Sequence, residues 1–209
     1  MRFPIQPVYI KRLHAVAELN REWHKRGVPV PLTVAIGNGF SIEQFREGVP
    51  LNHSSISETQ RRALMVEWGK LLRRMHGLKA HGYGRPRGKT LKGRHVTWDA
   101  FLQNGWNSIL QNLSQKNILG KREVEALKIM FREFPQHKGK GSVLHGDLYP
   151  SHVLVHGGRI NGIIDAADLL IGDRLFDLGI LRTAVRDKKH FEQIMQGYGN
   201  ADRRKIDKY

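Results

Sequence analysis

The chain has 209 residues, 40% of them apolar with four Trp and eight Phe, enough for one substantial core or two small lobes and too many for a disordered segment. It has no cysteine, which excludes disulfides and thiolate metal sites, and its formal charge of +16 favours anionic partners over cationic ones. No apolar run approaches the roughly 18 residues of a membrane span, and the start MRFPIQPVYIKRL has no secretory apolar core, so a cytoplasmic protein is the expectation.

Residues 8–26 place Leu13, Val16, Leu19 and Trp23 at three- and four-residue steps, which predicts a helix with one apolar face. Gly27 ends it, and Val28-Pro29-Val30-Pro31 forces an extended path. Two short strands follow, near Leu32–Ile36 and Phe40–Phe45, across Gly37-Asn38-Gly39. Ser57 opens a long helix with Gln60 three residues on, a capping-box pattern. Leu64, Trp68, Leu71 or Leu72, and Met75 line its inner face as far as His76-Gly77; His76 reads as a helix-end contact rather than a ligand.

Residues 80–95, rich in Gly, Lys and Arg, read as a flexible insertion that also offers phosphate or substrate contacts. Thr97 begins a helix through Phe101, Trp106, Ile109, Leu110 and Leu113, and residues 121–134 form another; both are expected in the core of a larger lobe. Past Asp177 one helix runs through Leu178 to Val185 and a second covers 188–198. The final ADRRKIDKY reads as a frayed tail.

The stretch from Val143 to Leu178 carries the chemistry. Val143-Leu144 is a short apolar run, followed by the polar loop His145-Gly146-Asp147-Leu148-Tyr149-Pro150. Val153-Leu154-Val155 and Ile160 through Ile164, joined by His156-Gly157-Gly158-Arg159, predict a β-hairpin. His152 enters its first strand and Asp165 leaves its second, so both belong at the open end, into which the Asp147 loop feeds. Phosphoryl transfer needs a carboxylate to orient or deprotonate a hydroxyl and ligands for the Mg²⁺ on the nucleotide phosphates. Asp147 is the candidate base; His152 and Asp165 are the candidate metal ligands. A zinc set of His145, His152 and His156 fits poorly, because these three fall on different loop and strand positions.

HGDLYPSHVLV followed by GIIDAADLLIGDRLFDL resembles the catalytic core of the aminoglycoside-phosphotransferase-like small-molecule kinases, and most closely its macrolide-phosphotransferase branch. The resemblance implies an α+β, protein-kinase-like two-lobe fold. Residues 1–48 would be a remnant of the nucleotide-binding lobe and hinge, and 49–209 a mainly helical catalytic lobe carrying the β-hairpin. It implies transfer of the γ-phosphate of ATP or GTP to a hydroxyl of a small, antibiotic-like molecule, a macrolide or an aminoglycoside. Asp147 falls on the family's catalytic base and Asp165 on a metal-binding Asp. His145, Asp173 and Asp177 fall on residues that support the site, Leu154 on the floor under the adenine, and Gln44 and Phe45 on the hinge that meets adenine through its backbone. Gln44 and Phe45 are equally well ordinary strand-end positions.

Where the family has Asn as second ligand this chain has His152, either a feature of the macrolide branch or a damaged site, since Mg²⁺ prefers oxygen. The family's Gly-rich phosphate loop and strand Lys have no counterpart: no Gly precedes Gly27, and Lys11 lies at the helix start. The chain thus resembles a relative that starts after the family's third strand and is clipped again after residue 209. The alternatives are a catalytically impaired remnant and, more remotely, a basic nucleic-acid-binding protein. The basic patches Arg85–Arg94 and Arg203–Lys208 lack the interleaved aromatics of a single-strand binder.

Overall fold

Gly27 turns left-handed (φ 71°) where the periodic apolar face of the first helix stops, and Asn20, buried on that helix, donates from Nδ2 to Pro31 O (3.0 Å) to hold the extended segment beyond it. The computed structural model describes residues 7–86 and 90–209, with side chains from Arg12 onward. The Lys11 side chain and residues 87–89 of the basic loop lie outside the described residues.

The helices are α1 (Pro7–Lys25), α2 (Glu58–His76), α3 (Trp98–Gln115), α4 (Lys121–Arg132), α5 (Arg174–Ala184), α6 (Lys188–Tyr198) and the single turn α7 (Arg203–Ile206). The strands are β1 (Thr33–Gly37), β2 (Phe40–Glu43), β3 (Val49–Pro50), β4 (Lys79–Ala80), β5 (Gly141–Leu144), β6 (Val153–His156), β7 (Arg159–Ile163) and β8 (Leu170–Gly172). They make three small antiparallel sheets, ordered β1-β2, β3-β6-β7 and β4-β5-β8. The architecture is α+β, mainly helical after β3. Among the described residues no helix is long and apolar enough to cross a membrane.

α2 begins with the expected box: Ser57 Oγ accepts the Gln60 N–H and the Gln60 side chain accepts the Ser57 N–H, a cap worth about 1 kcal/mol. Its buried face carries Leu64, Trp68, Leu72 and Met75 and meets α1 at Trp23, whose Nε1–H donates to Met75 O (3.2 Å). On its other side α2 crosses α6 backbone to backbone. A Cβ on Gly69 would lie 1.9 Å from Ile194 O, and one on Gly197 1.9 Å from Val66 O, so the crossing requires glycine at both places. One apolar cluster joins α1, α2, the β6–β7 strands, α5 and α6; a second, around Trp98, Leu102, Leu144 and Leu170, sits under α3.

Four expectations need correction. α4 buries no residue, and Ile129 and Met130 lie exposed, so it is not a core helix; its apolar side meets α3 at the Trp106–Phe131 stack. The tail is not frayed; Asp202 caps α7, Ile206 is buried, and the Tyr209 hydroxyl donates to Asp173 Oδ2 (3.1 Å). α5 starts at Arg174, not past Asp177, because Asp173 accepts the Leu175 N–H as its cap. The basic loop is not a free insertion: Tyr83 bridges His95, and Gly84 pairs with Ile171 of β8.

Candidate active site

β5 is buried along its whole length and delivers the chain to a sharp turn at Gly146 (φ 81°), where a Cβ would lie 2.2 Å from Asp168 O. The turn is held by one carboxylate. Asp177, fully buried in the first turn of α5, accepts the His145 N–H on Oδ2 (2.8 Å) and the Gly146 N–H on Oδ1 (2.9 Å). His76 Nε2 lies 3.1 Å from Oδ2, and since a carboxylate only accepts, the proton there is the imidazole's. His76 Nδ1 in turn meets the Tyr198 hydroxyl at 2.9 Å. Burial disfavours charge on Asp177, but His76, His145 and the Gly146 N–H outweigh it and hold the carboxyl below its ordinary value. Burial likewise keeps the Tyr198 hydroxyl protonated, well above its usual range.

His145 stacks between Trp23 and His152 and donates from Nε2 to Ile164 O (2.9 Å), while its Nδ1 accepts the Asp147 N–H (3.3 Å). Burial pushes its pKa down, so it is a neutral spacer that fixes the loop. His152, closing a 3₁₀ turn over Pro150–His152, donates from Nδ1 to Asp147 O (2.9 Å). That hydrogen bond leaves Nε2 as a lone-pair donor, 3.9 Å from Asp165 Oδ2. The Ile164 N–H donates to His152 O (2.9 Å), which closes the hairpin mouth between the two residues. Asp165 follows in the left-handed region (φ 67°), tolerable for Asp and a form of local strain often found at functional sites.

Asp147, His152 and Asp165 thereby each present a ligand atom within 4.8 Å of the other two, all half-buried. Two carboxylates and an imidazole suit a divalent cation. The oxygens match Mg²⁺, and the nitrogen is more comfortable with Mn²⁺. The other expected positions fall elsewhere. Asp173 caps α5 and docks the tail, whereas Asp177 clamps the loop. Leu154 pairs with Gly162, where a Cβ would press on Leu154 and on Arg46 Cβ (3.1 Å), so the missing side chain leaves Leu154 beside the 44–48 linker. Gln44 gives its N–H to Leu32 O (2.8 Å), closing the β1–β2 hairpin, and Phe45 is 88% exposed. The linker is tied down after them: Asn161 Nδ2 donates to Glu47 O (2.8 Å) and Gly48 crosses β6.

The part that two groups of residues play in supporting the site escaped the sequence reading, although His76 was read as a helix-end contact. His76 was visible as a polar residue four positions after Leu72 on the buried stripe of α2, a place where an unpaired imidazole would be costly. Asp168 carried no such signal; Arg85 from the basic loop (2.8 Å) and Arg12 from α1 (3.8 Å) both reach its Oδ1, gripping the turn that follows Asp165.

The profile of the phosphotransferase enzyme family matches residues 1–209. Among solved structures, macrolide 2′-phosphotransferase MphH from Brachybacterium faecium superposes with a TM-score of 0.70 at 17% identity, covering 99% of this chain and 73% of its own. A thermostable mutant of aminoglycoside phosphotransferase APH(4)-Ia gives 0.65 at 19% identity, over 90% of this chain and 64% of its own. The ADP-bound APH(2″)-Ib gives 0.66 at 15% identity, over 94% and 69%. These likenesses establish a protein-kinase-like fold, of which this chain spans about two thirds to three quarters. A comparison with curated protein sequences finds no match.

Proposed function

The chain belongs to the phosphotransferase enzyme family, and on that footing we propose that it transfers the γ-phosphate of ATP or GTP to a hydroxyl of a small, antibiotic-like molecule such as a macrolide or an aminoglycoside. The observation that carries this reading is the convergence of Asp147, His152 and Asp165 within 4.8 Å. The likeness to a macrolide phosphotransferase and to two aminoglycoside phosphotransferases, one with ADP bound, supports the substrate class and the nucleotide.

Asp147 is the group that meets the acceptor hydroxyl: its carboxylate is half-exposed, and its N–H and C=O are both held by imidazoles, so it is aimed rather than free. It accepts the hydroxyl hydrogen and orients the oxygen lone pair toward the phosphorus. Neutral His145 places the loop without adding a competing charge. His152 and Asp165 would hold Mg²⁺, which when bound neutralises charge on the nucleotide phosphates. Residues 1–48 stand as a reduced nucleotide lobe whose linker, Gln44 to Gly48, runs beside Leu154, a suitable floor for a purine. The Arg12 and Arg85 guanidiniums add positive charge next to the Asp165 turn.

The test is nucleotide turnover by the full chain with Mg²⁺ against a panel of macrolides and aminoglycosides. Asp147→Asn is expected to lower the rate by about 10³-fold with an unchanged melting temperature. Equal rates for the two proteins would overturn the assignment of Asp147, and absence of turnover with every acceptor would point to an impaired relative.

A further inference from the structure

At the end of the β4-β5-β8 sheet remote from Asp147 lies a cavity of about 550 Å³. β5 separates the two places. Ser142 is on the cavity wall and His145 opens the catalytic loop three residues later, about 10 Å along an extended strand. The wall carries four cations, Lys79, Lys138, Arg174 and Lys205, against two carboxylates, Asp173 and Asp202.

Both carboxylates are already engaged. Asp173 accepts from the Leu175 N–H and the Tyr209 hydroxyl; Asp202 caps α7 through the Lys205 N–H and lies 3.9 Å from Lys205 Nζ. Lys79 rests on a neutral partner, Ser142 Oγ at 2.7 Å. Arg174 stands over the Tyr198 ring and reaches Asn200 O (3.4 Å), and it also lines an adjoining concavity of about 380 Å³ together with Arg73. Partial burial, and after it the nearby Arg174, push the Lys79 pKa down, while Asp173 acts in the opposite direction. Cations held together cost free energy that an entering anion would return.

We propose that this cavity binds a small multivalent anion of the phosphate type, at a site separate from the one built on Asp147. Lys and Arg are the side chains that take phosphate oxygens, and the volume is that of a small-molecule site. Nucleic acid fits less well, because no Phe, Tyr or Trp stands among the described residues that line the cavity to serve as a platform for base stacking.

The experiment is calorimetric titration of the full chain with inorganic pyrophosphate, at fixed ionic strength and with EDTA to remove divalent cations. Saturable one-to-one binding is expected, weakened at least tenfold in Lys79→Gln/Lys205→Gln and preserved in Asp165→Asn. Both lysines are at the surface, and circular dichroism of the double variant establishes that it folds. No saturable binding overturns the proposal, as does binding that survives the lysine substitutions. Binding seen only when Mg²⁺ replaces EDTA, and lost in Asp165→Asn, would assign the anion to the Asp147 site instead. Tight binding of a single-stranded oligonucleotide with none of pyrophosphate would replace the proposal by a nucleic-acid surface.

Discussion

The β6–β7 hairpin buries Val153, Val155, Ile160 and Ile163, whereas the β1–β2 hairpin buries only Ser41 and leaves Val34 69% and Ile42 38% exposed. Both are short antiparallel ribbons with one irregular register step. They differ in what surrounds them. β6 is flanked by β3 and β7 and packs into the core shared with α2, while β1 and β2 have only each other within their sheet. A two-stranded ribbon alone is marginal in water. Polar residues at the mouth of the packed ribbon are therefore held in place, and it is there that His152, Asp165 and the Asp147 loop meet.

Substitutions can break this contrast, the largest effect being expected at the clamp. Asp177→Ala removes the acceptor for His76 and for two loop N–H groups, leaving buried polar atoms unpaired; a loss of about 3–5 kcal/mol is expected in urea denaturation. A loss under about 1 kcal/mol would show that the loop does not depend on the clamp. Ile163→Ala in the packed ribbon should cost about 3 kcal/mol, and Ile42→Ala in the open one under about 1 kcal/mol. Equal costs would erase the distinction. Gly48→Ala, at φ 143° with a Cβ 2.7 Å from Val155 O, should cost about 1–3 kcal/mol by prising the linker from β6.

The pH response sharpens the same point. His145 has a folded pKa below its ordinary 6.5, so its contribution is fully present above 6.5. As pH falls through 6.5 the unfolded chain takes up the proton first and stability declines, levelling off below the folded value. Denaturation measured from pH 7.5 to 5 should therefore slope less in His145→Asn than in wild type. Asp177 has the depressed pKa of a stabilised carboxylate, and its contribution is lost only at pH below its ordinary 3.8. The smallest effect belongs to the open ribbon: Val34→Thr should change stability by less than about 0.5 kcal/mol, and a larger change would mean that another surface covers β1.

Much of the site was legible because it is local. His145 to Asp165 spans one loop and one hairpin, and period-two alternation with a Gly-Gly turn places residues at a ribbon's mouth whatever the rest of the chain does. α2 was legible for the same reason, its cap and stripe both lying within 20 residues of sequence. α4 misled because amphipathicity says which face is apolar and not what covers it. The tail misled because Tyr209 finds Asp173 across 36 residues, a pairing invisible to any window.

The sequence by itself determined the long helices α1 and α2, the hairpins and the ordered set of Asp147, His152 and Asp165, since these follow from backbone preference and short-range periodicity. Only the tertiary structure decided that His76 and Asp177, 101 residues apart, form one clamp, that Arg12 and Arg85 grip Asp168, and that basic side chains from four segments line one cavity. Such contacts arise from the burial of charge and from close packing of distant segments, and both depend on where the whole chain leaves room.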